Sequence, residues 1–316
     1  MKDKRLKGFI YGIIAAAAYG MNPVFAVPLY NAGMDAISVL FFRYLLGIPA
    51  VWLLMYIRGR RADIGWSYIW KISLLGLLMV ASSITLFLSY NEADIGIAST
   101  ILFVYPLMVA LIMVAFYHEI MSTLSYVCLL GALFGVFLLC GSTSEVVISI
   151  FAVILVLISA LCYAVYIVLV NHKPFKNVAT LSLTFWVLVS GLIVLSIITV
   201  ARGHLDCPTR WDMIVNVVLL AIIPTVISFL FTNMAIESVG ATSTAVLGVF
   251  EPITALVFGI IFFEETLSLK SFIGVLIILA CTSLVITRRD ITRRILAIRT
   301  LFPKAGRHRN KSINKQ

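Results

Sequence analysis

Apolar residues along this chain gather into runs near 20 residues long, separated by short polar or charged interruptions. A helix rising 1.5 Å per residue needs about 20 residues to cross roughly 30 Å of hydrocarbon, so each run has the length of one membrane crossing. Runs against loop signals predict helices near 9–29, 36–57, 71–92, 95–116 and 122–140, and then near 148–170, 180–201, 212–236, 239–262 and 269–287. The predicted fold is an all-α integral membrane protein of ten transmembrane helices. The short connections leave no room for an inserted soluble domain. Residues 1–8 are read as a cytoplasmic N-terminus, 9–143 and 144–287 as two five-helix units, and 288–316 as a basic cytoplasmic tail.

Composition agrees with lipid as the solvent: 62% of the 316 residues are hydrophobic and 12% charged, which leaves far more apolar surface than a soluble domain could bury. The formal charge of +10 does not point to nucleic acid, because ten of the 24 Lys and Arg follow Thr287. The five cysteines form no CxxC pair and all but Cys207 lie in apolar runs, so no disulfide framework, metal site or cofactor is expected. Lys2 to Lys7 followed by an apolar run imitates a signal peptide, but the run exceeds an ordinary h-region and reads as a first helix that stays attached.

Basic residues fix the expected orientation. With the N-terminus inside, inner segments hold Lys2, Lys4, Arg5, Lys7, Arg58, Arg60, Arg61, Lys71, Lys173, Lys176 and the ten of the tail, whereas outer loops hold only Arg202, Arg210 and Lys270. Positively charged segments resist translocation, so both termini are expected in the cytoplasm of a multi-pass protein of the cell inner (plasma) membrane. In the tail, Ile291, Ile295, Ile298 and Phe302 recur at helical spacing with Arg288, Arg289, Arg293 and Arg294 on other faces, as in a helix lying on membrane lipid. Beyond Pro303 the tail reads as disordered.

The two halves echo each other. Pro106 precedes Glu119 by thirteen residues in the fourth helix, and Pro252 precedes Glu265 by thirteen in the ninth. Ser122 and Ser125 match Ser268 and Ser271; Asn91-Glu92-Ala93 matches Asn233-Met234-Ala235; Gly96 and Ser99-Thr100 match Gly240 and Ser243-Thr244; Ala16 and Tyr19 match Ala160 and Tyr163. Five helices is an odd number, so the second unit must enter from the opposite face, which makes the repeats inverted. Secondary transporters use that symmetry to expose one central site alternately to either side.

The segment GATSTAVLGVFEPITALVFGIIFFEETLSLKSFIGV, Gly240 to Val275, resembles the second-repeat signature of the EamA family in the drug/metabolite transporter superfamily. AAAAYGMNPVF and FFRYLLG in the first half are similar to that family's first repeat. The resemblance spans residues 6 to 287 and implies a ten-helix carrier in which helices 1, 3, 4, 6, 8 and 9 surround the pathway and helices 5 and 10 lie outside. The first unit departs from the Glu-Pro pair, with Tyr105 before Pro106, so a symmetric pair of acids is not expected.

Glu251 is the most informative single residue, since an acid near mid-membrane costs at least about 2.5 kcal/mol unless it faces protein or water. Binding a substrate amine, coupling to protons and a purely structural role are all open to it. Arg43 is the other buried charge; an anionic group, the outer loop or Glu251 could each partner it. Pro106 and Pro252 are candidate kinks. On helices that the resemblance puts around the pathway lie Tyr19, Asn22, Ser82, Ser83, Thr85, Tyr90, Tyr105, Tyr163, Tyr166, Ser228 and Asn233, with Thr184 and Trp186 as secondary candidates on the seventh. Aromatic faces mixed with neutral hydrogen-bonding groups suit small amphipathic metabolites. Gly131 and Gly135 have helix-association spacing, open either to a homodimer through helices 5 or 10 or to packing within one chain. A membrane enzyme or receptor is the rival class. His118, His172, His204 and His308 show no metal-ligand spacing in sequence, which disfavours an enzyme. The expected function is a permease or exporter of small metabolites such as amino acids, by alternating access and with protons as a candidate coupling ion.

Overall fold

The computed structural model describes residues 2–59, 68–117, 123–140, 149–170, 179–239, 247–264, 268–270, 272–281 and 283–284. All regular structure among these residues is helical. The elements are α1 (Lys2–Gly20), α2 (Asn22–Asn31), α3 (Ala36–Ile57), α4 (Ile69–Ser89), α5 (Ile95–Leu102), α6 (Tyr105–Tyr117), α7 (Thr123–Cys140), α8 (Ile150–Val170), α9 (Thr180–Arg202), α10 (Trp211–Ala221), a π-helical turn (Ile222–Ile227), α11 (Ser228–Val239) and α12 (Phe250–Phe263). A last apolar helix covers Phe272–Cys281. Among the described residues, seven segments are long and apolar enough to span a membrane: Leu6–Asn31, Ala36–Ile57, Ile69–Ser89, Gly96–Phe116, Ile150–Val170, Leu181–Arg202 and Trp211–Thr232. Phe250–Phe263 and Phe272–Cys281 are apolar but shorter. The expected C-terminal tail, Glu119, Ser122, Glu265 and the Gly240 block fall outside the described residues, as does the side chain of Asn233.

Two sequence expectations need correction. Helix begins at Lys2 rather than near residue 9, so the basic residues 2–7 form the first turns of the helix instead of a separate extension. The prolines do not merely bend continuous helices. The first span stops at Gly20 and restarts at Asn22 with Pro23 in its first turn; the fourth stops at Leu102 and restarts at Tyr105 with Pro106 next; α12 starts at Phe250 with Pro252 in its first turn; the eighth widens into the π turn around Pro224. Proline lacks the N–H that the preceding turn would need, and in a first turn that N–H has no intrahelical partner anyway, so breaking the helix there removes the conflict. Among the described residues, the first and fourth spans are therefore interrupted part-way along, and the eighth is widened by its π turn.

Packing follows a two-fold exchange of the halves. α1 packs on α11, and α8 on α4; α1 packs on α12, and α8 on α6; α10 packs on α3, and α9 on α4. α3 meets α9, and α5 meets α12, each pair joining corresponding helices of the two halves. Hydrogen bonds repeat the relation. Ser82 Oγ donates to the Ser159 carbonyl at 3.0 Å, and Ser228 Oγ donates to the Ala15 carbonyl at 2.9 Å. The match of Ala16 with Ala160 makes Ala15 and Ser159 counterparts. Ser159 Oγ returns a bond to the Ser82 carbonyl at 2.8 Å, a reciprocity that Ala15 cannot offer.

Gly131 and Gly135 face the last helix of the same chain. A methyl at Gly135 would lie 2.9 Å from the Gly274 carbonyl oxygen, and one at Gly131 2.7 Å from Cys281 Sγ. The small-residue motif is thus engaged within the chain, while Phe134 and Phe137 stay exposed.

At one end of the bundle, Gly8 abuts Ser238 and Val239. At the other end the loops of the two halves are clasped. Asp35 caps α3 by accepting from Ser38 N at 3.0 Å and pairs with Arg202; Asp206 accepts from Asp35 N at 3.0 Å and its own N–H donates to Ser38 Oγ at 3.0 Å.

Candidate functional site

A cavity of about 240 Å³ lies between the halves. Its wall comes from the interrupted spans: Ala15, Ala16 and Tyr19 of α1, Tyr105 of α6, Ser228 and Thr232 of α11, and Gly248 with Glu251 at the start of α12; α8 adds Tyr163 and Ile167. Along their helices, Gly12 and Thr232 lie toward the end where Gly8 meets Ser238, so the cavity occupies the half of the bundle opposite the clasp. Tyr105 and Tyr163 meet edge to face, with centroids 4.8 Å apart, and Tyr163 stacks on Tyr166 at 6.2 Å.

Glu251 is part-buried in the first turn of α12, where a helix macrodipole favours an acid. Its N–H donates to the Gly248 carbonyl at 3.0 Å. Gly20 packs against the backbone of this turn: a methyl there would stand 2.4 Å from the Glu251 carbonyl oxygen and 2.9 Å from Thr254 Cβ. Glycine is what lets α1 come close enough to α12 to enclose the acid.

Beside the cavity lies a much smaller space, about 20 Å³, lined by Arg43, Tyr44, Ser83, Tyr166, Thr184 and Thr225 among others. Met79 and Phe229 line both spaces. Arg43 is 5% exposed. Its Nε donates to Thr225 Oγ1 at 3.1 Å, and its guanidinium lies 5.5 Å from the Phe87 ring centroid. The π turn makes this contact. Within it, Thr225 Oγ1 donates to the Leu220 carbonyl five residues back at 3.3 Å, leaving its lone pairs for Arg43. Among the described residues of the chain itself, the hydrogen-bond partners of Arg43 are this neutral threonine and the Tyr19 hydroxyl, whereas the sequence left an anionic group, the outer loop and Glu251 open.

The other expected residues divide by role. Tyr19, Tyr105, Tyr163, Ser228 and Glu251 line the larger cavity, and Ser83, Tyr166 and Thr184 the smaller one. Ser82 ties α4 to α8 through Ser159, and Thr85 donates to the Ala81 carbonyl of its own helix at 2.9 Å. Asn22 is buried at the break between α1 and α2, where Nδ2 donates to the Tyr19 carbonyl at 2.9 Å and Oδ1 has no partner among the described residues. Tyr90 packs on Phe87, centroids 5.6 Å apart, and Trp186 on Phe185. Thr225, Thr232, Met79 and Phe229 escaped the sequence reading. Pro224 could have flagged Thr225, since a proline inside a span forces a local rearrangement; Met79 and Phe229 carry no signal that separates them from other core residues.

His204 gains a neighbour on folding. Its ring, Asp35 and Asp206 bring one ligand atom each within 4.8 Å of one another; Asp206 stands two residues on in sequence, whereas Asp35 comes from the other half. Arg202 occupies the same cluster, contacting Asp35 and donating toward His204 Nε2 at 2.9 Å, so a cation already sits there.

Comparison with known proteins agrees with this organisation. The model of the EamA-like transporter family matches twice, over residues 6–141 and 150–287. The uncharacterized transporter YcbK of Bacillus subtilis is 23% identical over 277 residues, covering 84% of this chain and 88% of its own length. An uncharacterized transporter of Archaeoglobus fulgidus is 26% identical over 268 residues, covering 85% and 92%. A solved crystal structure superposes with a TM-score of 0.62 at 16% identity, covering 89% of this chain and 98% of that one, which is a likeness of fold.

Proposed function

The chain belongs to the EamA-like transporter family, and on that premise we propose that it is a secondary carrier of small metabolites such as amino acids, working by alternating access. The observation that carries the reading is the cavity between the halves, walled by interrupted helices and closed toward one face by the Asp35–Arg202–Asp206 clasp. Broken helices beside a central site are how a membrane protein presents backbone and polar groups to a solute without exposing them to lipid.

In this reading the chain has ten membrane helices in two inverted units, both termini in the cytoplasm and the plasma membrane as its location. In it the clasp closes the outer face and the cavity lies in the cytoplasmic half of the bundle. Glu251 takes the amine of the solute, a proton, or each in turn, and Tyr19, Tyr105 and Tyr163 supply faces for its apolar part. A carrier is preferred to a membrane enzyme because the two spaces hold one acid, Glu251, and one guanidinium cation, Arg43, without a nucleophile beside a base among the described lining residues.

Reconstitution tests this. A thermal-shift screen of the purified protein against metabolites identifies ligands, since a molecule that binds only the folded state raises its apparent stability. In proteoliposomes the wild type then moves protons when driven by that solute and Glu251→Gln does not; full proton movement by Glu251→Gln removes the coupling role.

A further inference from the structure

Arg43 poses the question that the carrier reading leaves open: what balances its charge. A cation at this depth costs about 2.5–3.5 kcal/mol on insertion scales even with some relief from its surroundings. The groups around it are neutral: Thr225 Oγ1, the Tyr19 hydroxyl and the Phe87 ring. The ion pairs Arg202–Asp35 and Arg210–Asp212 lie near the surface, and neither involves Arg43. A guanidinium carries five N–H donors in a planar fork that fits a carboxylate bidentately.

We propose that Arg43 recognises a carboxylate of the transported solute, so that with Glu251 the pathway selects dipolar molecules bearing one anionic and one cationic group. The inference rests on the carrier reading above. Three features support it. The space at Arg43, about 20 Å³, is the size of about one water molecule, so a carboxylate group reaches the guanidinium as the shared wall gives way. Tyr19 lines the Glu251 cavity and contacts Arg43, and the wall between the two spaces is Met79 and Phe229; a methionine with three rotatable bonds can repack as a solute enters. Charge counting also favours a zwitterion. One guanidinium and one carboxylate leave no net charge when each is matched by an opposite group on the cargo, whereas a dianion would leave an excess charge buried.

The test uses three probes of one shape: L-leucine, L-leucinamide, which lacks the carboxylate, and 4-methylpentanoate, which lacks the amine. Apparent affinities come from thermal-shift titrations of detergent-purified wild type, Arg43→Gln, Arg43→Lys and Glu251→Gln. Wild type prefers leucine to either analogue by about tenfold or more, the scale of one charge-assisted hydrogen bond. Arg43→Gln weakens leucine to the level of leucinamide and leaves leucinamide unchanged; Arg43→Lys keeps part of the preference, which shows that lost charge rather than lost fold is responsible. Glu251→Gln instead equalises leucine and 4-methylpentanoate. An unaltered leucine-to-leucinamide ratio in Arg43→Gln, or no response of wild type to leucine, overturns the assignment. Counterflow in proteoliposomes separates the two readings. Wild-type transport of leucinamide without preference for leucine leaves a carrier and removes the Arg43 site; binding of leucine with counterflow of none of the probes leaves the site and removes the carrier.

Discussion

At the residue scale, the contact of α1 with α12 leaves no room for a side chain at Gly20. Its absent side chain lets α1 approach α12 until a methyl would overlap the Glu251 carbonyl oxygen, and backbone cannot swing aside as a side chain can. Gly20→Ala is expected to destabilise by about 1–3 kcal/mol, the usual cost of overpacking, read as a lower melting midpoint. Gly33, with no neighbour within 4 Å of an added methyl, has a φ of +92°, so replacing it strains the loop backbone without crowding anything. The sequence exposed Glu251 and Arg43 as charges that must be accommodated, because hydrocarbon leaves them few alternatives. It did not expose Thr225, whose relevance depends on a π turn, nor the glycine at position 20, which in sequence is one small residue among several.

At the scale of elements, the paired contacts of the two halves can be weighed separately. The α4–α8 contact is closed by reciprocal bonds between Ser82 and Ser159. A double-mutant cycle with alanine at both should return a coupling near 0.6 kcal/mol and no more than about 1.7, the range for hydrogen bonds between membrane helices; additive effects would show that the serines are bystanders. The clasp between the α2–α3 loop and the segment after α9 responds to acid. Partial burial raises the pKa of Asp35, but hydrogen bonds from Ser38 and Arg202 outweigh it and hold the carboxyl below its ordinary value. A lowered folded pKa gives stability that is present above the unfolded value, about 3.9, and is lost as pH falls through the folded one. Asp35→Asn should therefore melt below wild type at neutral pH and match it once the medium is acid enough to protonate Asp35; a difference that persists at low pH would assign the effect to shape. Spans and their order were legible because apolar runs of membrane length have few rivals, whereas breaks at Met21 and at Phe103–Val104 were not, since a proline predicts disturbance without saying whether the helix bends, widens or restarts.

At the scale of the whole molecule, the family model matches each half separately, and the exchange of contacts between halves gives that repeat a three-dimensional form. Its inversion makes a topological prediction. A periplasmic reporter fused after Thr287 should be inactive, and activity there would put an odd number of crossings between the termini. The repeat was readable from Pro106 and Pro252 and from Ala16 and Ala160, yet the asymmetry that matters for chemistry, Glu251 against Tyr105, appears once per molecule and needed the cavity to show its place. The central claim, that the halves rock about this cavity, is tested most directly by paired spin-label distances. One pair sits on the clasp face, at Asn31 and Thr209, and one on the opposite face, at Arg58 and Ala179, all four exposed. Removing the clasp with Arg202→Ala should lengthen the first distance and shorten the second in the same molecules; lengthening at Asn31–Thr209 while Arg58–Ala179 stays fixed would mean a frayed loop, and would contradict alternating access.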